Sequence, residues 1–138
     1  MNIAQLVKRL KLTKKPDLQK ELILEAWKKC EHFFVGLQMS CDPTSKVAVA
    51  KIVNIDVDDG VPGTFTFEDF QTLWDKVTQV DANPEEAREL IIDAAMTADF
   101  AEWNTFYRRI LLQKLQEDVP MDVIATVLSE LTGFQLVL

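Results

Sequence analysis

The chain has 138 residues, 48% of them hydrophobic and 27% charged, with a formal net charge of −7. That balance belongs to an ordinary soluble globular protein of one domain, long enough to bury a core. Its apolar runs are too short to span a bilayer, and residues 1–15 lack the apolar stretch and small-residue cleavage site of a secretory signal. We therefore expect a cytoplasmic protein without membrane contact. Cys30 and Cys41 are the only cysteines. Without a CxxC spacing they imply neither a metal site nor a disulfide framework, and we expect buried or half-buried free thiols.

The charge is unevenly distributed. Residues 1–55 carry ten Lys/Arg against five Asp/Glu, and residues 56–138 carry five against seventeen. A nucleic-acid-binding domain is ordinarily basic as a whole, so the net charge argues against DNA unless the basic part forms one face.

Helical periodicity runs through most of the chain. Ile3, Leu6, Val7 and Leu10 fall on one face of a first helix. A longer helix is predicted over 17–38, with Pro16 at its start and Leu18, Leu22, Ala26, Cys30, Phe33 and Leu37 turned inward. It ends at Asp42-Pro43, because the residue before proline is pushed out of the helical region. Residues 44–53 alternate weakly and are expected to form a short extended segment. Residues 54–64, with three aspartates, two glycines and a proline, read as a loop.

Thr66 with Asp69 forms a helix-start pattern for a third helix bearing Phe67, Phe70, Trp74 and Val77. Asn83-Pro84 starts a fourth, carrying Ala87, Leu90, Ile91, Ala94 and Ala95. Phe100, Trp103, Tyr107, Ile110 and Leu111 make a fifth. Pro120 opens a sixth, with Ile124, Val127, Leu128 and Leu131 inward and Gly133 as its stop. The expected fold is therefore all-α: a single compact domain of about six helices with one short extended segment. Trp27, Phe34, Phe70, Trp74, Trp103 and Ile110 are expected to share its core.

The motifs of self-sufficient catalysis are absent. There is no glycine-rich phosphate loop, no HExxH and no paired CxxC. His32 is the single histidine, and on a helix beside aromatics it reads as a structural or surface residue. The acidic loop Asp56-Val57-Asp58-Asp59-Gly60 resembles part of a calcium loop, but the twelfth position from Asp56 is Phe67 rather than a bidentate Glu. A solvated loop is the simpler reading, and no cofactor or metal is implied.

Three stretches carry a resemblance. Residues 33–53 (FFVGLQMSCDPTSKVAVAKIV), 64–76 (TFTFEDFQTLWDK) and 103–115 (WNTFYRRILLQKL) resemble, in order and spacing, parts of phage-type (T-even-like) ATP-dependent DNA ligases. In that family the segment is the helical N-terminal DNA-binding domain, lying on the minor-groove side of nicked duplex. Helix N-termini, tight turns and basic side chains contact phosphates there. Such contacts carry no base preference, which suits a nick-sealing enzyme.

The resemblance implies Lys46, Lys51, Arg108, Arg109 and Lys114 as DNA-binding residues, with the helix start at Asn83. Each has a plainer reading too. Arg108 and Arg109 suit a solvated helix face, Asn83 an ordinary cap, and the basic run Lys8, Arg9, Lys11, Lys14 and Lys15 a solvated helix end.

Two turns depart from the family pattern. Asp81-Ala82-Asn83 stands where Thr-Gly-Asn is usual, and 113–118 (QKLQED) replaces a glycine-containing turn, so acids sit at or beside both. The adenylation motif Lys-x-Asp-Gly is also missing, since Val57 lies two places before Asp59-Gly60. The chain is thus not expected to be an enzyme by itself. The expected partner is double-stranded or nicked DNA, with a catalytic domain or another protein besides. The alternative is a helical protein–protein interaction module that has lost DNA contact, its acidic part facing a basic partner or its tail 134–138 serving as an interaction peptide.

Overall fold

Every amide in the first turn of a helix needs an acceptor from outside the helix. Before four of the helices a side chain supplies one or two of them, whereas the starts at Lys15 and Cys30 have no side-chain cap. Asn2 accepts from the Gln5 amide at 2.8 Å while the Gln5 side chain reaches back to the Asn2 amide. Thr66 and Asp69 make the same reciprocal pair, and Asn83 and Asp99 each cap the helix that follows.

The computed structural model of the chain describes residues 2–132. Its elements are α1 (Ile3–Leu12), α2 (Pro16–Lys29), α3 (Glu31–Cys41), α4 (Phe67–Val77), α5 (Pro84–Thr97), α6 (100–111) and α7 (Met121–Thr132), with a 3₁₀ turn at Leu115–Glu117 before α7. No strand occurs among the described residues. Among the described residues, no helix is long and apolar enough to cross a membrane. The architecture is the expected single all-α domain. Gly133 and the tail 134–138 lie outside the described residues.

One core joins all seven helices. Trp103, Phe33, Phe70, Phe106, Leu6, Leu10, Ile23, Ile91, Ile110 and Ile124 are fully enclosed. Aromatic rings meet edge-on or tilted through its centre, from Phe65 to Trp103 and Tyr107 and from Phe70 to Tyr107. Each such pair adds a directional contribution to the apolar area it buries. His32 stacks flat on Phe67, with centroids 4.4 Å apart.

The structure corrects the sequence reading in three places. The long helix over 17–38 is two helices that break at Cys30, whose φ of −135° and ψ of 54° are not helical. α2 packs on α7 while α3 packs on α6 and the 3₁₀ turn, so the bend lets one apolar stripe serve two partners. Trp27 stays 41% exposed, meeting Phe34 only edge-on, and Leu18, Leu90 and Leu131 are exposed as well. The expected short extended segment, 44–53, forms neither helix nor strand. Finally, α6 is not uniformly α-helical: its middle, Trp103–Tyr107, is a π-turn between Phe100–Glu102 and Arg108–Leu111, in which the Arg108 amide bonds the Trp103 carbonyl. Such one-turn expansions rotate the side chains that follow and occur often at functional sites.

Candidate nucleic-acid interface

An extended segment without a partner strand must find acceptors and donors elsewhere. Residues 42–55 find them on α6 and the turn after it. The Trp103 indole N–H donates to the Val53 carbonyl at 2.8 Å. Asn104 holds Ile55 from both sides, accepting its amide and donating to its carbonyl, each at 2.8 Å. Arg108 Nε donates to the Ile52 carbonyl at 3.0 Å. The Gln113 side chain donates to the Ser45 carbonyl at 2.9 Å. Ala48 is tied to the end of α4 through the Val77 carbonyl. Three of the clamping side chains, at 103, 104 and 108, lie on adjoining positions of one helix.

Four of the six candidate residues lie on or next to this seam. Lys51 precedes the Ile52 carbonyl that Arg108 holds, and Lys46 follows the Ser45 carbonyl that Gln113 holds. Lys114 follows Gln113, which adopts a left-handed backbone with φ of 57°. Lys46, Lys51 and Lys114 are exposed and Arg108 is half-buried. The Arg108 bond occupies one donor of a five-donor guanidinium. Beside the seam, Asp42 accepts from the hydroxyl and amide of Thr44 and from the Ser45 hydroxyl, which hold its carboxyl below the usual range.

Arg109, the next residue along, lies about 100° round the helix from Arg108. With Lys8, Lys11, Thr105 and Asn104 it lines a cleft of about 360 Å³ between α1 and α6. Its guanidinium is held by Asp118, Nε to Oδ2 at 2.7 Å and Nη2 to Oδ1 at 3.2 Å, and it also donates to the Lys114 carbonyl. Lys11 joins the same carboxylate at 3.7 Å. The acid that replaces the expected turn glycine region is therefore the internal counter-ion of two cations. The basic run on α1, read above as a solvated helix end, contributes Lys8 and Lys11 to this cleft.

Asn83 stands apart from both groups. Its Oδ1 accepts from the amides of Glu85 and Glu86 at 2.9 and 3.2 Å. The first turn of α5 thus has two amides already bonded and two carboxylates beside them, the arrangement of a plain cap rather than an anion site.

The sequence reading passed over Asn104, and marked Asp118 only as an acid in an altered turn without its cation partners. Asn104 had a visible signal, a single amide side chain in an aromatic helix four residues before Arg108. Asp118 had none, since nothing local shows which cation a turn carboxylate will meet.

α6 with the seam on one flank and the α1 cleft on the other defines a helical domain that presents cations around a rigid central helix. No protein-family model matches the chain, and neither does any curated protein. Two solved structures do, named Pmar-Lig_PreS3 and Pmar-Lig_Pre.; each is 26% identical, superposes with a TM-score of 0.84, and matches 99% of this chain. The chain spans 31% of the length of those structures' chains.

Proposed function

We propose that the chain binds nicked or intact duplex DNA through phosphates and without base preference, as the non-catalytic domain, or a stand-alone relative, of an ATP-dependent DNA ligase. One observation carries the reading: nearly the whole chain superposes on part of two chains whose names contain "Lig", the abbreviation of ligase. The cations flanking α6 supply the chemistry. Lys46, Lys51, Arg108 and Lys114 form one group and Lys8, Lys11 and Arg109 the other, against a background charge of −7. Phosphate contact by such groups positions a protein on duplex without reading sequence.

The test is fluorescence anisotropy on a labelled nicked duplex from about 20 to about 200 mM salt. Neutralising three to five phosphates gives a log–log salt slope of about −2.7 to −4.5, with Kd near 10⁻⁴–10⁻⁶ M at physiological salt. Replacing Arg108 and Arg109 together with Ala lowers the slope by up to about 2 without changing base preference. Absence of binding at the lowest salt by a folded chain rejects the reading, and salt-insensitive binding rejects the phosphate mechanism. Incubation with labelled ATP and magnesium leaves no covalent AMP on the chain; a stable adenylyl-lysine here would overturn its non-catalytic role.

A further inference from the structure

On α5 and the loop leading toward α4, the molecule shows a surface opposite in character to the basic flanks of α6. A groove of about 240 Å³ runs between them, lined by Val53, Ile55, Val57, Ile92, Met96 and Phe100 among others. Met96 is 80% exposed and Val57 74%. Val53 and Ile92 on its walls are exposed as well. Isolated exposed apolar side chains need no explanation, but several around one groove mark a contact surface. The walls are firm: α5 is a regular helix of 14 residues, and Asn104 clamps Ile55 from both sides.

The rim is acidic. Asp56, Asp58 and Asp59 lie on the loop wall. Glu89 and Asp93 share the α5 face with Ile92 and Met96, at helical spacings of three and four. Arg88 is the single cation on that helix. Across residues 52–107 there are thirteen Asp/Glu against two Lys/Arg. Among the described residues, the ion pairs Lys11–Asp118, Lys20–Glu130, Lys29–Glu25 and Arg109–Asp118 all lie outside that stretch. Asp58 and Asp59 each spend one oxygen on a local amide, of Gly60 and Val61, which fixes the loop and leaves the second oxygen outward.

The geometry points to a docking site for a protein segment that carries Lys or Arg on both sides of an apolar anchor. The anchor enters between Val57, Ile92 and Met96, where the pliant thioether adapts to its shape. The flanking cations meet Asp59, Glu89 and Asp93 on the rim. Charge complementarity selects this occupant. A duplex is repelled by the carboxylates, and a second copy meeting the same face would set acidic rim against acidic rim. The inference does not rest on the proposed DNA binding, which draws on the cations beside α6 and not on this acidic rim.

A random dodecapeptide library panned against the immobilised full chain tests it. Enriched peptides should combine Lys or Arg with Leu, Ile, Met or Phe, and a synthetic copy should bind the chain in a salt-dependent way. Met96→Asp and Val57→Asp, at exposed positions that leave the core untouched, should each weaken that peptide by about tenfold or more. Asp93→Lys should weaken it through the rim, while Lys114→Ala, at an exposed cation away from the groove lining, should not. The Met96→Asp chain should keep the duplex affinity of the unaltered chain. No enrichment, enrichment of acidic or uncharged peptides, binding indifferent to both apolar substitutions, or displacement of the peptide by duplex would each overturn the assignment.

Discussion

Arg109 and Asp118 meet as a two-pronged ion pair across the 3₁₀ turn, at 2.7 and 3.2 Å, with side chains only 23% and 12% exposed. A carboxylate so placed holds the guanidinium and competes with any phosphate for it. Asp118→Asn should therefore act in two directions. Stability should fall by about 1–3 kcal/mol as a half-buried charged hydrogen bond is lost. Duplex affinity should rise, and the salt slope should steepen by about 1 to 2, because Arg109 and Lys11 are released together. Chemical denaturation and anisotropy read the two effects separately. Weaker DNA binding by a folded Asp118→Asn chain would mean that Asp118 instead aims Arg109 at the phosphate.

Trp103 is fully enclosed and its indole N–H is the donor to Val53, so two substitutions divide its roles. Trp103→Ala removes the ring and should cost roughly 3–5 kcal/mol. Trp103→Phe keeps most of the buried area and leaves the Val53 carbonyl unpaired, which should cost about 1–3 kcal/mol. Faster amide exchange over 52–55 should accompany both. Equal losses for the two variants would mean that the loop bond, rather than the ring, carries the stability.

Why these features differ in legibility follows from their range. Thr66–Asp69, Asn83–Pro84 and the stripe Phe67, Phe70, Trp74 and Val77 act within one or two turns of helix, so local spacing displays them. The break at Cys30 has no glycine or proline to announce it; it exists because α2 and α3 meet different partners. Trp27 shares the helical period of buried residues yet stays 41% exposed with its ring edge-on to Phe34, while the neighbouring Ala26 is fully buried. At the site, the cationic residues were legible as residue types. Their grouping was not, since it depends on contacts such as Arg108 to Ile52 and Gln113 to Ser45, separated by 56 and 68 positions.

Gly36 on α3 permits the close approach of α6. A Cβ there would stand 2.6 Å from Phe106 Cζ and 2.8 Å from Ile110 Cδ1, both on fully enclosed side chains with no room to yield. In an exposed helix interior, Gly→Ala gains about 1 kcal/mol. Here Gly36→Ala should instead destabilise the domain by about 1–3 kcal/mol through overpacking. Thermal unfolding decides the sign; a raised Tm would show that α3 and α6 separate easily, and with them the seam that presents Arg108.

Two carboxylates should give opposite pH signatures. Burial, and then the charge of Asp99, raise the pKa of Glu102 at the start of α6. Its ionised form is thus disfavoured in the folded chain. The cost is absent below the unfolded value of about 4.3, grows as pH rises through the folded value, and is complete above it. Glu102→Gln should raise Tm at pH 7 to 8 and change little near pH 4. Asp42 is the reverse case. The Thr44 hydroxyl first, then the Thr44 amide and the Ser45 hydroxyl, lower its pKa, so its contribution is present above the unfolded value of about 3.9 and is lost as pH falls through the folded value. Asp42→Asn should lower Tm at neutral pH and converge with the unaltered chain in acid. Calorimetry from about pH 3 to about pH 8 separates the two, because Tm differences of opposite sign at pH 7 should both shrink toward zero as pH falls. A difference for Glu102→Gln that is independent of pH would show that packing, rather than charge, sets its effect.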